Sequence, residues 1–261
     1  MNKELIEACG DELYNALTQR HTIQPLTQRF DNISIEDAYH ISLRMLERRV
    51  QTGAKIIGKK IGVTSRAVQD MLNVHQPDFG YLTHDMAYSQ GEEMPISQKL
   101  LQPKAEGEIA FILKKDLIGP GITNADVLAA TDCLIPCFEV VDSRIENWNI
   151  KIQDTVADNA SCGLFVLGDQ AVSPHKVDLS TCGMVVEKNG KIISTGAGAA
   201  ALGSPVNCVT WLANTLGKFG IPLKAGEVIL SGSLVPLEPV SVGDFMTVSI
   251  GGIGNASVRF V

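Results

Sequence analysis

No stretch of this chain approaches the ~18 uninterrupted apolar residues that a membrane-spanning helix needs. The opening Met1-Asn2-Lys3-Glu4-Leu5-Ile6-Glu7 carries acids where a targeting peptide would carry an apolar core, so a soluble cytoplasmic protein is expected. Basic runs are equally scarce. None exceeds two residues, as in Arg48-Arg49, and the net charge is -7, which argues against nucleic acid as a partner. The six cysteines (Cys9, Cys133, Cys137, Cys162, Cys182, Cys208) contain no CxxC pair. Free, mostly buried thiols in a reducing compartment are expected, and Cys133 with Cys137 lacks the second ligand pair of a zinc site. The five histidines include no i,i+4 pair, which removes the usual helical zinc arrangements. A Walker A segment and a GxSxG elbow are also missing, and Cys162 has no evident base beside it. Gly196-Ala197-Gly198-Ala199-Ala200-Ala201 matches a dinucleotide fingerprint in form only. Gly203 and Pro205 interrupt the helix that should follow, and no acid lies about 20 positions on, so it reads as a tight glycine loop.

What is present reads as α+β. Ile6, Cys9, Leu13 and Leu17 fall on one helical face, as do Ala38, Ile41, Met45 and Leu46 on a second, with Ser34 and Asp37 forming a capping-box-like start. After Gly53 the pattern becomes strand-like through Lys55 to Val63, with glycines that permit close backbone approach or a bulge. A short helix from about Ser65 carries Val68, Met71 and Leu72. Beyond residue 100 the chain is mostly β, with helices near 124–131 and 205–219. Asn189-Gly190 signals a type I′ hairpin, and Ser204-Pro205 a helix start. Strands and helices do not alternate regularly, which disfavours Rossmann and TIM arrangements. No repeat, linker or sharp boundary appears, so residues 1–261 are read as one catalytic domain with about 1–53 as a small helical subregion.

The informative feature is Glu106 and Glu108, in Lys104-Ala105-Glu106-Gly107-Glu108-Ile109-Ala110-Phe111. Residues two apart on a strand share one face about 6.6 Å apart. Glu139 breaks another apolar run, Leu134-Ile135-Pro136-Cys137-Phe138-Glu139-Val140-Val141. Glutamates on a strand often mark only the solvated face of an antiparallel sheet. Glu139 weighs against that here, because apolar residues flank it on both sides. An unpaired buried ion costs several kcal/mol, and a hard divalent cation, Mg²⁺ or Mn²⁺, is the economical partner. Lys59 and Lys60 point to opposite faces of their strand. One is expected in solvent and the other inside, where desolvation and a nearby metal lower its pKa toward acid/base use, although both stems can also bend outward to water. Asp154 to Gly163 is a polar segment expected to be a loop, suited to carboxylate binding or simply to turning the chain.

Taken together, Gly58-Lys59-Lys60-Ile61-Gly62-Val63-Thr64-Ser65, Gln76-Pro77-Asp78-Phe79-Gly80, Glu106-x-Glu108, Glu139 to Arg144 and Asp154 to Gly163 resemble, in order and spacing, the hydratase and decarboxylase branch of the fumarylacetoacetate hydrolase superfamily. The resemblance spans nearly the full chain. It implies a mixed β-roll or sandwich core with the N-terminal helices packed outside. It also implies Mg²⁺ or Mn²⁺ held by Glu106, Glu108 and Glu139, proton transfer by Lys60 and Asp78, and substrate contacts from Ser161, Asp158 and Ser231. Ser231-Gly232-Ser233 stands where many relatives begin with threonine, and the hydroxyl is retained. The implied reaction adds water to 2-hydroxypenta-2,4-dienoate, giving 4-hydroxy-2-oxopentanoate in aromatic meta-cleavage catabolism. A homo-oligomer, in possible complex with a 4-oxalocrotonate decarboxylase, is the implied assembly. Decarboxylation of a 4-oxalocrotonate-type acid, acylpyruvate hydrolysis and a non-catalytic partner subunit are the alternatives.

Overall fold

Helices dominate the chain up to residue 51, and strands take over from residue 56. The computed structural model describes residues 1–261. Helices α1 (Lys3–Gln19), α2 (Leu26–Arg29) and α3 (Ile35–Gln51) come first, followed by β1 (Ile56–Gly62), α4 (Arg66–Leu72) and β2 (Asp78–Thr83). Next are β3 (Ala87–Ser89), β4 (Glu93–Met94), α5 (Ile96–Lys99), β5 (Lys104–Leu113), α6 (Asn124–Ala130) and β6 (Thr131–Val141). The chain continues with α7 (Ile152–Ala157), β7 (Leu164–Leu167), β8 (Gly183–Lys188), β9 (Lys191–Ala197) and α8 (Pro205–Gly217). Strands β10 (Val228–Leu230), β11 (Glu238–Pro239), β12 (Phe245–Ile250) and β13 (Gly254–Phe260) complete it. No helix is long and apolar enough to cross a membrane.

Two mixed sheets form the core. One runs β2-β1-β10-β5-β6-β7-β3, with β11 also paired to β5, and the other runs β4-β13-β12-β8-β9. Phe111, Phe138, Phe165 and Phe260 lie fully buried in one continuous apolar core. The sheets meet closely at Gly107, where an added Cβ would lie 2.7 Å from Met184 Sδ. Gly58 has the role expected of a strand glycine: β1 runs parallel to β10, and a Cβ at Gly58 would fall 1.9 Å from the Val228 carbonyl oxygen. The β8–β9 hairpin turns through Asn189 and Gly190, both at positive φ as a type I′ turn requires. The stretch after β9 is a short 3₁₀ turn over Gly198–Ala200, not a nucleotide-binding helix start.

The helical region has a small core of its own. Cys9, Leu13 and Ala16 of α1 meet Ala38, Ile41 and Met45 of α3, and Ile145, Val156 and Ala157 complete the cluster. Ser34 and Asp37 form the expected capping box. Met71 of α4 is 73 % exposed, because a seven-residue helix at the surface buries only a narrow stripe. One expectation needs correction: the polar segment 154–163 is not a plain loop. It opens within α7, whose start is fixed by Asp154 accepting from the Lys151 N–H.

Beyond α7 the backbone enters the left-handed region at three consecutive non-glycine residues: Asn159 (φ 55°), Ala160 (φ 52°) and Ser161 (φ 52°). Such residues persist only where their surroundings over-determine them, and here the buried Arg144 does so. Its Nε donates to Asp158 Oδ1, Nη1 to the Cys162 carbonyl (2.9 Å) and Nη2 to the Asp158 carbonyl (2.7 Å), while its own backbone N–H donates to Asp158 Oδ2. Asn159 clips the other side by accepting from the Tyr81 N–H and donating to the Tyr81 carbonyl. Removing Arg144 leaves a buried carboxylate without its counter-charge, at a cost of about 3–5 kcal/mol. Urea unfolding of R144M is therefore expected to show a loss of that size, and R144M/D158N is expected to recover part of it. An additive double mutant would contradict this coupling.

Candidate active site

Strand register brings the predicted carboxylates together. Glu106 lies directly opposite Glu139 in the antiparallel β5–β6 pair, and Glu108 lies opposite Cys137. Period-two alternation puts Glu106, Glu108, Ala110, Cys137 and Glu139 on one face. Leu230 pairs with Ala110, Lys60 pairs with Leu230 and Gly80, and Gly62 pairs with Asp78, which extends that face across β10, β1 and β2. One oxygen from each of Glu106, Glu108 and Glu139 lies within 4.8 Å of the others. Lys60 Nζ lies 3.3 Å from Glu139 Oε1. Gly62 makes room between the proton-bearing groups: a Cβ there would stand 2.3 Å from Asp78 Oδ1 and 3.2 Å from Lys60 Nζ.

Like charges directly opposite on a sheet destabilise it, and burial makes the repulsion worse. Burial and the neighbouring Glu139 push the Glu106 carboxyl up to about 7. Glu108 is held well above the usual carboxylate range by burial, then by Glu139 and Glu106. Burial raises Glu139 too, with Lys60 opposing. Glu108 Oε1, both Glu139 oxygens, Asp78 Oδ1 and Ser231 Oγ are buried without a hydrogen-bond partner. Glu108 Oε2 accepts from the Gly232 N–H at 2.8 Å. Oxygens around a magnesium-sized ion at about 2.1 Å sit roughly 3–4 Å apart, so small side-chain rotations would bring these three into range. Hard oxygen donors, unpaired lone pairs and concentrated negative charge fit a divalent cation.

The two lysines depart from expectation. Neither reaches solvent: Lys59 and Lys60 are both buried. Lys59 is neutralised by Glu227, with both carboxylate oxygens 2.7 Å away. The Lys60 pKa is not lowered. Burial pulls it down, but Glu139 and Asp78 outweigh that and hold the ammonium protonated. Asp78 is raised by burial, with Lys60 opposing.

Of the predicted substrate contacts, Ser231 is brought to the cluster beside Gly232, with its hydroxyl unpaired. Ser161 Oγ is 3.1 Å from Thr155 Oγ1 on the strained turn. Asp158, also expected to contact substrate, has both carboxylate oxygens accepting from Arg144, so it anchors the turn. Sequence reading also missed the Gly232 N–H, Gly62, and Tyr39 of α3, whose ring stacks on Phe79 at 4.5 Å.

The fumarylacetoacetate (FAA) hydrolase C-terminal family matches residues 50–261. The chain is 77 % identical over 221 residues to a 2-hydroxypent-2,4-dienoate hydratase of Pseudomonas putida, a match covering 85 % of this chain and all of that one. It is 57 % identical over 260 residues to a 2-hydroxyhexa-2,4-dienoate hydratase of Comamonas testosteroni, covering 99 % and 98 %. Among solved structures, 4-oxalocrotonate decarboxylase from Pseudomonas putida G7, complexed with magnesium and adipate, superposes with a TM-score of 0.96 at 39 % identity, covering 100 % and 99 %. A match over four-fifths of the chain, carrying all three glutamates and Lys60, places this chain in the fumarylacetoacetate hydrolase family.

Proposed function

We propose that the chain is a metal-dependent hydro-lyase that adds water to 2-hydroxypenta-2,4-dienoate and releases 4-hydroxy-2-oxopentanoate. The observation that carries this reading is the Glu106–Glu108–Glu139 set, half-buried at Glu106 and buried at the other two, beside Lys60, in a chain 77 % identical to a hydratase of that substrate. A bound Mg²⁺ or Mn²⁺ supplies Lewis acidity to the 2-oxo acid end of the substrate and neutralises the three glutamates. Protonation of the dienol at C5 gives an α,β-unsaturated ketone, water adds at C4, and C3 is protonated. Lys60 and Asp78, adjacent across Gly62, are the groups placed to move these protons. Ser231 Oγ is positioned to bind the substrate's polar end, and the Gly232 N–H holds Glu108 in place.

The reading treats residues 1–261 as one catalytic unit, acting in the cytoplasm as a homo-oligomer and able to pair with a 4-oxalocrotonate decarboxylase. The likeness to that decarboxylase supports the pairing and also makes decarboxylation the second reading. Spectrophotometry separates the two. Dienoate absorbance is expected to fall on adding Mg²⁺ or Mn²⁺, without carbon dioxide release from 4-oxalocrotonate; gas evolution would reverse the assignment.

Two further outcomes follow from the carboxylates. Without metal, E108Q is expected to melt no lower than the parent, since a carboxyl whose ionised form burial and two neighbouring acids disfavour is replaced by a neutral amide. It is also expected to lose the Mg²⁺-induced rise in Tm and at least 100-fold in hydration rate, whereas near-normal turnover in chelator would reject the metal assignment. Because the apo Glu106 carboxyl is held up at about 7, cation binding must displace a proton from it near pH 6 that is largely gone by pH 8. Cation affinity should therefore rise with pH across that interval. Calorimetry in buffers of different ionisation enthalpy should register proton release.

A further inference from the structure

The Glu106–Glu139 pair lies close to one end of the β5–β6 ladder, where the pairs Ala105–Val140 and Lys104–Val141 separate it from the point at which pairing stops. Pro103 comes next and has no N–H to extend the ladder. Ends of elements open more easily than their middles, and two like charges facing each other favour separation. β6 is held on its far side by β7, which pairs with Glu139 and Val140. β5 has at this end the two-residue β11, paired with Ala105 and Lys104. The start of β5 is therefore the part that needs a fastening beyond the ladder itself.

Leu101 and Gln102, which lead into β5, supply it. Asp142, the residue after β6, accepts through Oδ1 from the Leu101 N–H (3.0 Å) and the Gln102 N–H (2.6 Å). Hydrogen bonds to an ionised acceptor are about twice as strong as neutral ones. Gln102 returns the contact: its Nε2 donates to the Ser143 carbonyl (2.9 Å) and the Ile145 carbonyl (2.8 Å), and its own carbonyl accepts from Trp148 Nε1 (3.0 Å). Lys104, the first residue of β5, places Nζ 4.3 Å from the centre of the Trp148 ring. Asp142 reaches the strained turn as well, because its backbone N–H donates to the Ser161 carbonyl at 2.9 Å. The proposed reaction gives no role to Gln102, Asp142 or Trp148, yet their bonds converge on the strand end that carries Glu106.

We propose that Gln102 and Asp142 are positioning residues: they hold the start of β5 against the end of β6, so that Glu106 and Glu139 already stand opposite each other when a cation arrives. The inference rests on the proposed metal-dependent reading for the identity of the ligand, but the hold on the strand end is measured in the metal-free protein. Q102M keeps the length of the side chain and removes both of its hydrogen bonds; W148F removes one donor and keeps an aromatic ring beside Lys104. In the metal-free full chain, hydrogen–deuterium exchange over residues 104–108 is expected to quicken about tenfold in Q102M and about threefold in W148F, with residues 110–113 unchanged. Calorimetry is expected to show Mg²⁺ binding about tenfold weaker in Q102M and about threefold weaker in W148F, as follows when the fraction of molecules holding the two glutamates together falls by those factors. Exchange that quickens equally along the whole of 104–113 would mark a general loss of stability and overturn the proposal. Mg²⁺ affinity equal to the parent's in the folded variants overturns it too. A parent that binds no Mg²⁺, with exchange following the expected pattern, would instead count against the metal reading and leave the hold on Glu106 standing.

Discussion

Two glutamates facing each other across an antiparallel pair, with a third one pleat away, form an arrangement a sheet avoids unless something offsets the repulsion. Glu106 and Glu139 are direct cross-strand partners, and Glu108 shares their face inside the protein. Every neighbouring feature answers that concentration of charge. Lys60 comes in from β1 as a counter-ion, the Gly232 N–H donates to Glu108, and several oxygens keep free lone pairs. The surrounding sheet is apolar, so little water screens the set. Stability is given up locally to maintain a set of donors whose chemistry fits a hard cation.

The scaffold that holds this arrangement draws on distant segments. Lys60 reaches the site because β1 lies parallel to β10, a seam passable only with glycine at position 58. Asp78 reaches it because β2 pairs antiparallel with β1, and Gly62 leaves the gap in which amine and carboxylate meet. The helical N-terminus, which in a sequence reading is an attachment, contributes Ile35 and Tyr39 beside the same Asp78.

Much of this was legible in the residues, for physical reasons. The Glu106–Glu108 spacing on a strand requires a shared face, Asn189-Gly190 requires a tight turn, and Ser34 with Asp37 signals a helix start; all three are found. What escaped depends on partners far away in the chain. Lys59 is buried because Glu227, 168 residues on, neutralises it, and no local pattern announces that. Asp158 sits in a polar run that suggests ligand binding, yet Arg144 takes its carboxylate. The expectation for Lys60 combined burial with a nearby cation; burial does pull its pKa down, while Glu139 and Asp78, which no local pattern places beside it, push it up.

The turn at Asn159, Ala160 and Ser161 adopts a left-handed backbone without using glycine. Glycine would reach the same φ with less strain, but it would also open a wide range of other conformations. Residues with a Cβ have a narrow left-handed basin, so once Arg144 and Asn159 force them into it they have little freedom left to lose. Ser161 is therefore preorganised: the entropy of ordering this segment is lost during folding, and an incoming ligand need not supply it again.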